Sequence, residues 1–468
     1  MSADHIDADL AVIGFGKGGK TLAATLGRQG RRVVMIEQSA LMYGGTCINI
    51  GCVPTKSMVY RSEHLADGTV HADDYHRAVE STAELTADLR AVNFAMLDKL
   101  DTVTVLTGHA RFTDPHTLHV QTTDGATVTV SAQWIVVGTG SRPVLPDIAG
   151  LATTPQVYTS TELLSRSGLP QRLTVLGGGY VGLEFAAMFA RYGSQVTVLE
   201  RGAQILARED TDVSACLQDI LHASGIQIIT AAEVTGVSDV DHAASVTYRT
   251  GDTEHTIEAD AVLVALGREP VTDGLALDQA NIDTNSAGAI VVDEHLRTSQ
   301  PHIFAVGDVN GGPQFTYISL DDYRVVLSQL TGDGSRTTAT RTAVPYVLFT
   351  TPPLARVGVT ESAALAAGSD ILVATLPVAA MATVPRARIV DETAGLMKVV
   401  VDAATDTILG AALLSYDSHE VINTVALAMR YGITASELRD AIYTHPSMTE
   451  AFNQLLGALA PPSSLSSP

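Results

Sequence analysis

The chain is 468 residues long, too long for one hydrophobic core, and about one domain per 100–200 residues points to roughly three domains. Apolar residues make up 46% and charged residues 17%, which describes a folded globular protein and excludes a disordered one. A net charge of −22 argues against nucleic acid or an anionic membrane as partner. No apolar run approaches the ~20 residues of a membrane span, and the N-terminal MSADHIDADL lacks the basic–apolar layout of a signal peptide. Three cysteines (Cys47, Cys52, Cys216) make no secreted disulfide framework, so a cytoplasmic location is expected. In that compartment a bridge is more often catalytic than structural.

Asp9 to Gly14 (DLAVIG) reads as a buried parallel strand running into Gly14-Phe15-Gly16-Lys17-Gly18-Gly19. A helix to about Gln29 and a strand, Arg32 to Ile36, follow and end at Glu37. Gly14, Gly16 and Gly19 allow a tight turn and close approach of a pyrophosphate to a helix N-terminus, with Glu37 placed for the ribose hydroxyls. The full strand–glycine–helix–strand–acid unit is far more specific than GxGxxG alone.

Next comes Gly44-Gly45-Thr46-Cys47-Ile48-Asn49-Ile50-Gly51-Cys52-Val53-Pro54-Thr55-Lys56, with two of the three cysteines five positions apart. A bridge needs Cα atoms about 4.4–6.8 Å apart. Five residues of straight helix rise roughly 7.5 Å and turn well past half a circle. A Cys47–Cys52 pair therefore requires a local irregularity, for which Gly51 gives latitude. Pro54 suits the first turn of a helix starting just after Cys52, whose N–H groups would favour a Cys52 thiolate. On spacing alone, a redox pair and two small core residues that never meet both stand.

The nucleotide unit recurs at Leu173–Leu176, Gly177-Gly178-Gly179-Tyr180-Val181-Gly182, a helix, and Gln195–Leu199 ending in Glu200. First glycine to acid is 23 positions in both copies, 14 to 37 and 177 to 200. Trp134 to Gly140 closes the first copy and Ala261 to Arg268 the second. Two fingerprints with matched spacing imply two dinucleotides and an electron relay between them. Cys216 lies in a helical stretch (Asp212 to Ala223) and reads as a small buried residue.

Further on, Thr298 to Asp308 reads as a strand ending in an acid, and Ser319-Leu320-Asp321-Asp322 as a capping box opening a helix. Thr331 to Thr342 is a polar connector. Val344 to about Leu459 mixes alternating strands with helices and carries no nucleotide fingerprint. Near its end His445 precedes Pro446 and is kept extended, with Glu450 placed to hold its imidazole. Residues 461–468 are Pro/Ser-rich and expected to be disordered. No residue set reads as a resident metal site.

GGTCINIGCVPTK resembles the redox-active disulfide of the FAD-dependent pyridine nucleotide–disulfide oxidoreductases, which include glutathione, mycothione and mercuric reductases and lipoamide dehydrogenase. The resemblance covers the whole chain and implies an α/β protein. Two Rossmann-like dinucleotide-binding domains, for FAD and NAD(P), would be joined by a C-terminal α+β dimerisation domain. It assigns 1–150 and 273–342 to FAD, 151–272 to NAD(P) and 343–460 to dimerisation. It makes Cys47 the exchanging cysteine and Cys52 the one against the flavin. Lys56 and Glu184 become an ion pair beside flavin N5, Asp308 the ribitol ligand, and Tyr180 a nicotinamide gate. His445 and Glu450 become a base dyad reaching the other subunit's disulfide. Cofactor contacts extend to Gly45, Thr46, Thr139 and Gly140, with Gly177, Gly179, Gly182 and Gly267 in the second unit. Glu200, with no paired arginines in its place, implies NADH over NADPH.

Gly14-Phe15-Gly16-Lys17, Met42 to Cys52 and Gly311 to Asp322 are most similar to the bacterial reactive chlorine resistance flavoproteins. That implies a homodimeric reductase whose acceptor is an oxidant-stress molecule or a metal ion such as copper(II). The alternatives are a mycothione- or glutathione-type disulfide reductase, lipoamide dehydrogenase, mercuric reductase and a non-catalytic flavoprotein scaffold. The tail lacks the vicinal cysteines usual in mercuric reductases. No catalytic position is lost, as a scaffold would require.

Overall fold

The computed structural model describes residues 4–65, 70–71 and 73–462. Its first unit is built as β1 (Asp4–Ile13), α1 (Lys17–Arg28), β2 (Val33–Glu37), α2 (Thr46–Asn49), α3 (Cys52–Glu63), α4 (Asp74–Asp98), β3 (Val103–Asp114), β4 (Thr117–Thr122), β5 (Thr127–Val137) and β6 (Ser141–Pro143). β1 lies parallel between β2 and β5, with Leu10 opposite both Val33 and Trp134. Every residue of β2 is buried, as expected of a parallel strand covered on both faces. β3 and β5 outrun this layer: their far parts sandwich β4 in an antiparallel meander.

The second unit follows as β7 (Val157–Tyr158), α5 (Ser160–Leu164), β8 (Arg172–Leu176), α6 (Tyr180–Arg191), β9 (Gln195–Leu199), α7 (Thr211–Ala223), β10 (Gln227–Ile229), β11 (Ala232–Val240), β12 (Ala243–Thr250), β13 (Thr253–Ala259), β14 (Ala261–Val264) and β15 (Arg268–Pro270). Its parallel sheet runs β10-β9-β8-β14-β7, with β11-β12-β13 as an antiparallel meander beside it. β15 pairs with β6, so the two connections between the nucleotide units are hydrogen-bonded to each other. Cys216 on α7 is half-buried rather than buried, because its side of the helix is only partly covered.

The chain then re-enters the first sheet: β16 (Ile303–Ala305) pairs parallel with β5, and α8 (Thr316–Thr331) packs on α1. The capping-box reading of Ser319 to Asp322 is corrected. α8 starts four residues earlier, after Phe315, with no side-chain cap. Ser319 Oγ instead accepts from Gly18 N–H at 3.0 Å, and buried Asp322 accepts from Gly307 N–H at 2.6 Å. Arg336 and Arg341 of the polar connector pair with Asp321 and Asp322. These side chains bind neighbouring segments, so the S-x-x-D spacing imitates a cap without being one.

The C-terminal unit comprises β17 (Tyr346–Leu348), β18 (Leu354–Gly358), α9 (Glu361–Ala366), β19 (Ile371–Pro377), α10 (Pro385–Ile389), β20 (Leu396–Asp402), β21 (Ile408–Leu414), α11 (Ser418–Tyr431), α12 (Ala435–Arg439) and α13 (Ala451–Leu455). Its antiparallel sheet runs β17-β18-β21-β20-β19. It docks on the second unit through charge pairs centred on buried Arg356 and Lys398: Arg356 lies 3.0 Å from Glu209, and Lys398 reaches Asp210 and Asp212 at 3.1 and 2.9 Å, with Glu361 of its own unit at 2.6 Å. Buried charges persist only when paired, so these contacts fix the docking. No helix among the described residues is long and apolar enough to cross a membrane. Of the expected disordered tail, residues 463–468 lie outside the described residues.

Candidate active site

Glycine shapes the cysteine turn. Gly44 and Gly45 adopt φ of +99° and +79°, and a Cβ on Gly45 would stand 2.7 Å from Gly16 Cα. α2 lasts one turn and ends at Ile50, and the chain refolds at Gly51 into α3. A Cβ on Gly51 would sit 3.1 Å from the Thr46 carbonyl oxygen. This break brings the Cys52 thiol beside the Cys47 thiol, which a straight helix forbids. Pro54 falls in the first turn of α3, where a missing N–H does no harm. Both cysteines are present as free thiols.

The pair is electrostatically unequal. The Cys52 thiol is drawn down to about 6, first by the hydrogen bond from Cys47, against the opposing effect of burial. The Thr316 hydroxyl, 3.6 Å from Cys52 Sγ, the Lys56 ammonium and Cys52's own N–H at the start of α3 add to it. The same neighbour and burial push the Cys47 thiol far above the ordinary range. The surroundings therefore favour the thiolate at Cys52 and the thiol at Cys47.

Lys56 on α3 donates to Glu184 Oε2 at 2.7 Å, and its ammonium lies 4.8 Å from the Phe349 ring centroid. Glu184, buried on α6, also accepts from Phe349 N–H at 2.9 Å. This ion pair joins all three units next to the cysteine turn.

The two fingerprints have the geometry of a phosphate cradle. Gly14 and Gly177 have φ of +101° and +106°, and a Cβ on either would stand 2.3 Å from Gly138 O or 2.6 Å from Ala265 O. A Cβ on Gly19 or Gly182 would strike the Gly14 or Gly177 carbonyl oxygen at 2.9 or 2.1 Å. Gly16 and Gly179, the N-caps of α1 and α6, have open space instead: a Cβ would meet nothing within 3.7 Å and 4 Å respectively. First and third glycines are sterically required, and the middle one leaves the helix N-terminus accessible. The residues present fit a dinucleotide pyrophosphate at both places.

The two acids do more than the sequence indicates. Glu37 accepts from Phe15 N–H at 2.9 Å, and Glu200 from Gly178 and Gly202 N–H at 2.7 and 2.6 Å. Each carboxylate hooks its own glycine loop and retains lone pairs for ribose hydroxyls. Asp308, just after β16, accepts from Ser141 Oγ at 2.6 Å, and Arg268 donates to the same hydroxyl at 2.9 Å. Thr139 donates to Val271 O at 2.6 Å, which closes the strand crossing beside Gly140 and Gly267. Gly45 and Thr46 sit at the start of α2, against the first cradle.

His445 Nδ1 lies 2.8 Å from Glu450 Oε2, whose other oxygen accepts from Ser447 N–H at 3.0 Å. The His445 side chain is 66% exposed, and among the described residues no hydrogen bond or ion pair links it to the cysteine turn of its own chain. On the same unit the apolar side chains Tyr431, Leu427 and Ile442 are 73%, 56% and 101% exposed.

Sequence reasoning missed several residues here. Thr316 was hidden because the start of α8 was misplaced. Lys20 is buried in α1, donating to Gly44 O at 3.3 Å and to Asn93, so it pins the cysteine turn to α4. Its ammonium is lowered to about 8, chiefly by burial. A lysine in the second turn of a nucleotide-unit helix, where the buried face is expected, was the available signal. Glu209, Tyr346 and Arg356 left no local signal.

Residues 8–322 match the family model for pyridine nucleotide-disulphide oxidoreductases, and residues 344–456 match its dimerisation domain. The chain is 48% identical over 445 residues to the probable pyridine nucleotide-disulfide oxidoreductase RclA of Escherichia coli, covering 95% of this chain and 97% of that one. It is 35% identical over 462 residues to a Streptomyces lividans mercuric reductase, covering 96% of each. It is 31% identical over 455 residues to a dihydrolipoyl dehydrogenase of Geobacillus stearothermophilus, covering 95% of this chain and 94% of that one. Among solved structures, the Cu(II) complex of the HOCl-induced flavoprotein disulfide reductase RclA from Escherichia coli superposes with a TM-score of 0.91 at 46% identity, covering 96% of this chain and 99% of that one. The chain thus belongs to the FAD-dependent pyridine nucleotide–disulphide oxidoreductases, enzymes that work with FAD and a pyridine nucleotide.

Proposed function

We propose that this enzyme takes electrons from NADH and discharges them through a Cys47–Cys52 disulfide onto an oxidant-stress acceptor or a metal ion such as copper(II). The observation that carries the reading is the unequal thiol pair. Thr316 Oγ1 lies 3.6 Å from Cys52 Sγ and the Lys56–Glu184 ion pair stands beside it, an environment that favours the thiolate at Cys52 and the thiol at Cys47. Residues 1–150 and 273–342 would hold FAD, which would supply two-electron redox chemistry between the nicotinamide and the disulfide. NAD(P)H is assigned to residues 151–272 and dimer contacts to 343–460.

The chain's own residues then set the course of the reaction. Opening the disulfide consumes two electrons and one proton, leaving Cys47 as a thiol and Cys52 as a thiolate. The Lys56 ammonium and the α3 N-terminus hold the Cys52 charge. Cys47, once deprotonated, attacks a disulfide acceptor or ligates a metal ion. His445 of the partner subunit manages that proton, oriented by its Glu450. Tyr180 covers the nicotinamide position. Glu200 accepts from a ribose 2′-hydroxyl and repels a 2′-phosphate, which favours NADH.

The acceptor class is supported by the Escherichia coli structure, described as a Cu(II) complex of a HOCl-induced flavoprotein disulfide reductase. A second reading, reduction of a small disulfide such as mycothione, is favoured by the His445–Glu450 dyad. Such a dyad is needed to protonate a thiolate leaving group and is dispensable for a metal ion. The test is anaerobic oxidation of NADH and of NADPH with copper(II), mercury(II), mycothione, glutathione disulfide and lipoamide, on wild type and His445→Ala. Copper(II) turnover that survives His445→Ala and is faster with NADH is the expected result. Efficient turnover of a disulfide, lost in His445→Ala, would sink the metal reading.

A further inference from the structure

Glu209 stands at the first residue of a run, Glu209-Asp210-Thr211-Asp212, that is nailed to the C-terminal unit. Its carboxylate is completely buried, yet its two oxygens are served very differently. Oε2 lies 3.0 Å from Arg356 Nε but off the line of a hydrogen bond. Oε1 accepts two phenol hydroxyls, from Tyr180 at 3.0 Å and from Tyr346 at 3.2 Å. The Tyr180 and Tyr346 rings meet edge to face, with centroids 5.6 Å apart. Tyr346 is itself stacked on Phe315 at 5.9 Å, next to Thr316 of the cysteine site. Tyr180 opens α6 immediately after the glycine cradle, and both tyrosines are half-buried. Tyr346 sits in a sheet strand between the Tyr180 and Phe315 rings, which makes it the more confined of the two.

We propose that Glu209 and Tyr346 form a latch on the Tyr180 gate, in which Tyr180 is tied shut by Glu209 and Tyr346 keeps that carboxylate satisfied whenever Tyr180 swings away. The inference rests on the reading of Tyr180 as the cover of the nicotinamide position. It makes Glu209, Tyr346 and Arg356 positioning residues, each acting through Tyr180. Burial and the Glu209 charge push the Tyr180 phenol far above its usual range, so it remains a donor while closed. The C-terminal unit, which supplies Tyr346 and Arg356, thereby sets how easily the nucleotide enters.

The two tyrosines consequently act in opposite directions. Phe keeps either ring and removes only a hydroxyl. In Tyr180→Phe the tether is gone, opening is easier, and NAD⁺ binds more tightly. In Tyr346→Phe the opening of Tyr180 strips Oε1 of its last donor, so NAD⁺ binds more weakly. A hydrogen bond to a buried carboxylate sets each change at roughly ten- to a hundredfold. The experiment is titration calorimetry of NAD⁺ into the oxidised, FAD-loaded wild type, Tyr180→Phe, Tyr346→Phe and Tyr180→Ala. Shifts of opposite sign in the two Phe variants are expected. Shifts of the same sign, or none, overturn the latch. If Tyr180→Ala changes NAD⁺ affinity while Tyr346→Phe does not, the latch alone fails. If Tyr180→Ala also leaves it unchanged, the gate reading fails with it.

Discussion

Removing the Cys47 sulfur probes the charge on Cys52 directly, because Cys47 is the largest of the influences that lower the Cys52 thiol to about 6. A hydrogen bond to a charged group contributes about 1.5–3 kcal/mol, and one pKa unit corresponds to about 1.4 kcal/mol. Losing the Cys47 donor should therefore raise Cys52 by roughly one to two units, to about 7–8. Thr316, Lys56 and the start of α3 remain and keep it below an unassisted thiol. The third cysteine is easily removed, so Cys47→Ala/Cys216→Ala leaves Cys52 as the single thiol of the chain. The assay is the pH dependence of iodoacetamide alkylation at Cys52, followed by mass spectrometry on the reduced enzyme. The Cys216→Ala control should titrate near 6 and the double variant one to two units higher. A double variant that still titrates near 6 would show that Cys47 is not the cause. The sign carries over to stability. Between about 6 and the ordinary thiol value of 9.0 the unfolded reduced chain holds the extra Cys52 proton, so Cys52 makes a contribution that grows with pH across this window and is lost below about 6.

Three further outcomes follow from the geometry. Arg356→Met leaves the Glu209 carboxylate buried with only tyrosine donors, and its urea unfolding should reveal a loss of about 3 kcal/mol, the low end for a broken buried pair; adding Glu209→Gln should restore most of it. Gly14→Ala drives a Cβ to 2.3 Å from Gly138 O at φ +101°, so the purified protein should carry well under one FAD per chain, as read from its flavin absorbance. Cys47→Ser and His445→Ala chains, mixed and refolded together and assayed for the disulfide reduction that needs His445, should regain activity that neither has alone through hybrid dimers with one intact site; verified hybrids that gain none would place the whole site in one chain.

What the sequence disclosed and what it withheld divide along chain distance. The glycine fingerprints were legible because Gly14 and Glu37, or Gly177 and Glu200, lie on one βαβ unit whose local geometry dictates their spacing. The cysteine turn was legible as an irregularity, and the break at Gly51 is that irregularity. Glu209 and its partners Tyr346 and Arg356 stand 137 and 147 positions apart in the chain (346 less 209, and 356 less 209), and no periodicity encodes such a meeting. Ser319 to Asp322 misled for a different reason. A hydroxyl and a carboxylate three apart suit a helix cap, but here tertiary partners, Gly18, Gly307 and two arginines, claim them. Glu37 and Glu200 stand at the ends of β2 and β9 as the spacing implies, but their hold on the glycine loops appears only in three dimensions.

The claim at the centre of this account is that electrons from the nucleotide come to rest on the cysteine pair with Cys52 as thiolate against the flavin. Anaerobic stopped-flow mixing of the FAD-loaded enzyme with NADH tests it most directly. The wild type should develop long-wavelength charge-transfer absorbance that fades on acidification through about 6, and Cys52→Ser should lack it altogether. The same band persisting in Cys52→Ser would contradict the account.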